Sequence, residues 1–175
     1  MRLCIFFSAL FLVYSCSEER KSDLPSSDGL PDQESWGVNI IMTHEGLIRA
    51  KVNSGHLKKF NEKEYIILDE NVVVDFFDAQ ENHTSTLFSD KSEINEKSND
   101  MLAIGNVIAK SDSGITLFTE RLQWIAEDEK LFTKDSIMIT TLDKDTLFGK
   151  GFESNADLEN WRILNPSGVT GSEIH

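Results

Sequence analysis

The sequence predicts an all-β domain of repeated antiparallel strand pairs, and three observations point to it. The phrase Thr-Leu-Phe returns at a fixed step of thirty residues, starting at Thr86, Thr116 and Thr146. Gly105-Asn106-Val107-Ile108-Ala109 overlies Asp135-Ser136-Ile137-Met138-Ile139 at the same step, and Ile94 overlies Trp124. Self-similarity of this kind marks stacked units that cannot bury an apolar face alone. Short apolar runs also alternate with Gly, Asn, Asp and Ser at roughly 8–12-residue spacing, the signature of an all-β sandwich or barrel. Finally, no segment after the N-terminal region sustains a helical period; only one turn of helix near Gly55–Glu64 fits the pattern.

Taken in order, Trp36, Val38, Ile40 and Met42 alternate with Gly37, Asn39, Ile41 and Thr43, as on a half-buried strand. His44-Glu45-Gly46 turns the chain, Leu47 to Val52 returns, and Asn53-Ser54-Gly55 breaks the pattern. Strands follow at Tyr65–Leu68, Val72–Phe77, Ser85–Phe88, Met101–Ile104, Val107–Lys110, Ile115–Thr119, Leu122–Ile125, Leu131–Thr133 and Ile137–Thr141. Asp69-Glu70-Asn71, Asp90-Lys91, Gly105-Asn106, Ser111 to Gly114, Glu127 to Lys130 and Asp143-Lys144-Asp145 supply turn chemistry between them.

The N-terminus reads as an export signal. Met1-Arg2 is cationic and Leu3 to Tyr14 is almost wholly apolar, too short for a bilayer core, which takes about 20 residues. Val13-Tyr14-Ser15-Cys16 resembles a bacterial lipobox, which makes residues 1–15 a signal peptide and Cys16 a lipid anchor. Cys4 would leave with the signal, so no disulfide or thiol metal site remains. Residues 16–35 are rich in Ser, Asp, Pro and Gly and read as a flexible tether, leaving residues 36–172 as the folded domain.

Net charge is −13, becoming −14 when Arg2 leaves. The longest basic run is Lys58-Lys59, which argues against nucleic acid and against flat docking on an anionic membrane. The histidines His44, His56, His83 and His175 have no metal-ligand spacing to one another or to a cysteine, so no metal site is expected. Asp143-Lys144-Asp145 lacks the glycine and distal Glu of a calcium loop and reads as a hairpin turn. There is no nucleophile elbow or phosphate loop, and the acidic runs lack apolar surroundings. No enzymatic activity, catalytic residue or cofactor is expected.

Aligning the repeats suggests an inward face: Val72, Val107 and Ile137 coincide, as do Val74, Ala109 and Ile139. Phe88 aligns with Phe118, Ile94 with Trp124, and Leu122 with Phe152. Alternation places these on one side, lining either two facing sheets or one curled sheet, with charged residues outside.

The run Gly105-Asn106-Val107, Gly114, Leu117-x-Thr119-x-x-Leu122-x-Trp124, Ile137-x-Ile139 and Gly149-Lys150-Gly151-Phe152, with Asn155-x-x-Leu158 behind it, resembles the LptC family over about Trp36–Gly168. That resemblance implies a V-shaped, twisted β-jellyroll of the OstA-like kind. It implies a periplasmic component of lipopolysaccharide export, held at the inner membrane, which receives lipopolysaccharide from the permeases of an ABC transporter. The lipid then passes along a hydrophobic groove to a soluble periplasmic bridge protein of similar fold, through edge-to-edge pairing. Val72, Val74, Phe88, Ile94, Val107, Phe118, Leu122, Trp124, Ile137, Ile139 and Phe152 are the expected groove lining. A departure is the anchor: Cys16 here replaces the transmembrane helix of familiar members, so a lipid cannot pack among transporter helices as a helix would. The rival expectation is a surface or periplasmic lipoprotein whose β-sandwich binds a protein or carbohydrate partner, which requires exposed aromatic platforms.

Overall fold

A computed structural model describes residues 29–167. The signal peptide, Cys16, most of the tether and the last residues assigned to the domain lie outside them. Nine antiparallel strands form one sheet in simple meander order, β1 (Gln33–His44), β2 (Leu47–Phe60), β3 (Tyr65–Phe77), β4 (His83–Asn95), β5 (Met101–Ser111), β6 (Thr116–Ile125), β7 (Lys130–Thr140), β8 (Thr146–Asn155) and β9 (Arg162–Ser167). The strands are fewer and longer than the sequence pattern suggests, and β1 begins three residues inside the stretch read as tether. No helix occurs among the described residues; the chain from Gly55 to Phe60 continues β2 and then turns.

β8 and β9 are strands that the sequence pattern did not mark; the greater length of the others has one physical cause. Several segments that read as turns are β-bulges inside continuous strands, because the breaker residues supply left-handed backbone without reversing the chain. Register shifts fall between Asn53 and His56, Asp69 and Val72, Phe88 and Lys91, Ile104 and Val107, Thr119 and Gln123, and Thr133 and Ser136. Glu70 and Asn71 adopt positive φ at one of these places, and Asn106 at another. The shifts lie side by side from β2 to β8, so these strands bend at mid-length and the single sheet folds over on itself. Asp143-Lys144-Asp145, by contrast, is the hairpin turn expected, with Thr141 N–H donating to Asp145 O.

The two half-sheets meet face to face. Phe76 from one half packs edge-on against Trp124 from the other, centroids 5.4 Å apart. Along the seam, Ser85 Oγ donates to Ala156 O, and Arg49 Nε lies 2.7 Å from Glu129 Oε1. The core between the halves is continuous from Met42 on β1 to Phe152 on β8, closed by Leu158 from the last turn. Among the described residues, β1 and β9 each keep one unpaired edge.

Gly149 fixes how closely β9 approaches. It pairs with Pro166, and a Cβ there would collide with the Ile163 side chain and come within 2.8 Å of Asn165 O. Gly149→Val is therefore expected to detach β9 while the remaining strands hold. Hydrogen exchange would show this as lost protection confined to β8 and β9; an unchanged pattern would contradict the packing argument.

Candidate functional site

The interior is built from rungs that run across the strands. In one half, Val52, Val74, Leu87, Ala109, Leu117 and Ile139 are successive cross-strand partners, each exposed by 1 % or less. In the other half, Ile66, Ile94, Met101, Trp124 and Leu131 follow in the same way. β-branched and leucine side chains suit this pleated, two-sided enclosure. The buried polar groups are mostly small hydroxyls, among them Ser54, Ser85, Ser92, Thr133 and Ser154.

Nine of the eleven expected lining residues point inward: Val72, Val74, Ile94, Val107, Leu122, Trp124, Ile137, Ile139 and Phe152, all at 4 % exposure or less. Phe88 and Phe118 do not. Both lie on the outer face, Phe88 37 % exposed and Phe118 half-buried. The neighbouring Leu87 and Leu117 take the inward positions instead. The cause is the bulge. On β4 and β6 the inward set changes parity across the bend, from Leu87 to Ile94 and from Leu117 to Leu122, because an extra residue turns every later side chain over. Unbroken alternation across the breaker residues gives the wrong face for the Phe of each repeat.

Sequence reasoning also missed Leu68, Phe76, Met101, Leu131 and Leu158, which are almost fully buried in the same core. Leu158 carried no strand pattern, since it sits in a turn at φ 60°. The outer face is likewise less uniformly charged than expected. Phe88, Ile108, Phe118, Met138 and Phe148 are register partners across β4 to β8 and form an outward apolar stripe. Lys110 lies over the Phe88 ring, 5.7 Å from its centroid.

One end of the interior opens in a recess of about 220 Å³, lined by Met42, His44, Arg49, Asn99, Trp124 and Ala126 among others. Arg49 crosses it, its Nη1 donating to Asp78 O at 2.6 Å. Trp124 Nε1 is buried there without a hydrogen-bond partner among the described residues. The Asp78 carboxylate accepts from the backbone N–H of Gln80 and Asn82 and from the Asn82 amide, and these bonds, Asn82 first, hold it below the usual carboxylate range. At the bend outside, the Arg121 guanidinium bonds Asp135 at 2.8 and 3.0 Å and likewise lowers that carboxyl. Neither pair has the apolar, pKa-raising setting of an acid catalyst.

The family described as lipopolysaccharide-assembly, LptC-related, matches residues 1–171 of the chain. The chain belongs to the LptC family. Its role is in lipopolysaccharide transport. Among solved structures, it is similar to LptH, the LptA-homologous periplasmic component of the conserved lipopolysaccharide transport device of Pseudomonas aeruginosa. That likeness has a TM-score of 0.53 at 10 % identity and covers 71 % of this chain and 86 % of the other. At such identity it shows the fold alone, a β-jellyroll. No curated protein matches the chain in sequence.

Proposed function

We propose that this LptC-family domain takes the acyl chains of lipopolysaccharide between its half-sheets, receiving them from inner-membrane ABC transporter permeases. It passes them to a soluble periplasmic bridge protein of similar fold. The observation that carries the reading is a continuous apolar interior inside a single sheet whose two borders, β1 and β9, are unpaired among the described residues. Acyl chains need a dry lining without fixed polar partners, and free sheet borders are the natural device for strand addition between similar domains. Cys16, lipidated after removal of residues 1–15, would hold the domain at the periplasmic face of the membrane. The acidic surface keeps the anionic head of the lipid outside, in solvent.

The interior is shut at rest, with Leu122, Ile139 and Phe152 fully buried. Entry of a chain therefore requires the half-sheets to part, starting from the recess beside Trp124. A photo-crosslinking residue at Trp124, compared with one at Phe148 on the outer face, tests this in cells. Adducts with lipopolysaccharide are expected at Trp124 and not at Phe148. Adducts at the outer position alone would overturn the reading.

A further inference from the structure

One side-chain cluster lies on the outer face, away from the apolar interior. At the bend of β2, His56 stands directly opposite Trp36 on β1 and Asp69 on β3. Its ring stacks on the Trp36 indole, centroids 5.1 Å apart and planes 19° from parallel. The residue is only 9 % exposed. Nδ1 lies 2.9 Å from Asp69 Oδ1. Nε2 is sealed from solvent without a hydrogen-bond partner among the described residues, and it faces Glu34 Oε1 at 3.8 Å. Donor atoms of His56, Asp69 and the adjoining Glu70 gather within 4.8 Å of one another. Glu70 reaches this position because residue 55 is glycine; a Cβ there would come within 2.9 Å of Glu70 Oε2.

Nδ1 is engaged with the Asp69 carboxylate, which leaves Nε2 as the ring nitrogen without a partner. A buried ring nitrogen with no partner is costly. The Glu34 oxygen at 3.8 Å is beyond hydrogen-bond distance and does not relieve it. What satisfies both is a cation between them. Two ligands of one small ion, each about 2.0–2.2 Å from it, sit at roughly this separation. A metal-bound histidine characteristically donates its other N–H to a carboxylate that fixes its tautomer. Asp69 holds that place, and its second oxygen already faces Lys58 Nζ at 3.5 Å.

We propose that His56 Nε2 and Glu34 ligate a divalent cation of the zinc class, with Asp69 orienting the imidazole, Glu70 adding negative charge and water completing the coordination from the side of Glu34, whose side chain is 39 % exposed. The imidazole favours zinc, cobalt or nickel over magnesium or calcium, which prefer all-oxygen sets. The residues come from three strands: Glu34 from β1, His56 from β2, and Asp69 and Glu70 from β3. A bound ion therefore pins the free border strand β1 to the body of the sheet. No histidine or cysteine spacing reveals the site, because the pairing of strands assembles it.

The test is titration of the metal-stripped full chain in detergent with Zn²⁺ by calorimetry and with Co²⁺ by visible absorption. One saturable site per chain is expected, with increased hydrogen-exchange protection of β1 on binding. His56→Ala should abolish the site. Asp69→Asn should weaken it about tenfold or more through the lost orienting bond. Glu34→Gln, a near-isosteric change at a partly exposed side chain, keeps the fold and should also weaken binding about tenfold. Absence of saturable binding of either ion overturns the proposal. So does an affinity unchanged by Glu34→Gln, which would place the ion elsewhere on the chain.

Discussion

Leu117→Asp should leave the chain without a cooperative unfolding transition, whereas Phe118→Asp, one residue along, should fold. Leu117 is completely buried, between Ala109 and Ile139 in the cross-strand rung. A carboxylate there has no cation or donor within the apolar interior. The penalty of several kcal/mol is comparable with a total stability of about 5–15 kcal/mol for a domain. Phe118 lies between Ile108 and Met138 on the outer face and is half-buried. An aspartate there reaches water, so the loss is confined to side-chain contacts, about 1–2 kcal/mol. Urea titration followed by fluorescence of the three tryptophans separates the two outcomes. Equal losses at both positions would mean that the assigned faces are wrong.

Arg49→Ala is expected to loosen the seam at the recess. The Arg49 side chain is 10 % exposed and bridges Asp78 O on one half-sheet and Glu129 on the other. Glu129 is 43 % exposed, so solvent screens the ion pair and little stability comes from it. The larger contribution is the hydrogen bond from a charged donor to the Asp78 carbonyl, together with the aliphatic stem that covers the end of the core, about 1.5–3 kcal/mol in all. Two readouts should move together. Hydrogen exchange should rise at the β3–β4 and β6–β7 turns, and uptake of a lipid A analogue should accelerate. Faster uptake with an unchanged seam would place the entry elsewhere. A loosened seam without faster uptake would show that opening does not limit loading.

How far the sequence could be read depends on which physical signal each feature left in it. The repeat at Thr86, Thr116 and Thr146 and the spacing of apolar runs were enough for an all-β repeat fold, because hydrophobic period and turn chemistry are local. Nine of the residues buried between the half-sheets followed from the same period. Phe88 and Phe118 were misplaced because a bulge and a turn use the same residues: Asn and Gly at positive φ serve both, and nothing local states whether the strand continues. The His56 cluster was invisible for a related reason. Glu34, His56 and Asp69 lie far apart in the chain and are brought together only by the registers of β1 with β2 and of β2 with β3.

By itself the sequence determined the strand content, the family pattern and the apolar material of the interior. These rest on periodicity and composition, which neighbouring residues carry among themselves. Tertiary structure alone decided which face each side chain occupies beyond a bulge, that one bent sheet rather than two encloses the core, and which residues latch its seam. Those outcomes depend on pairing register and on contact between half-sheets, and register is a relation between strands that no single strand encodes.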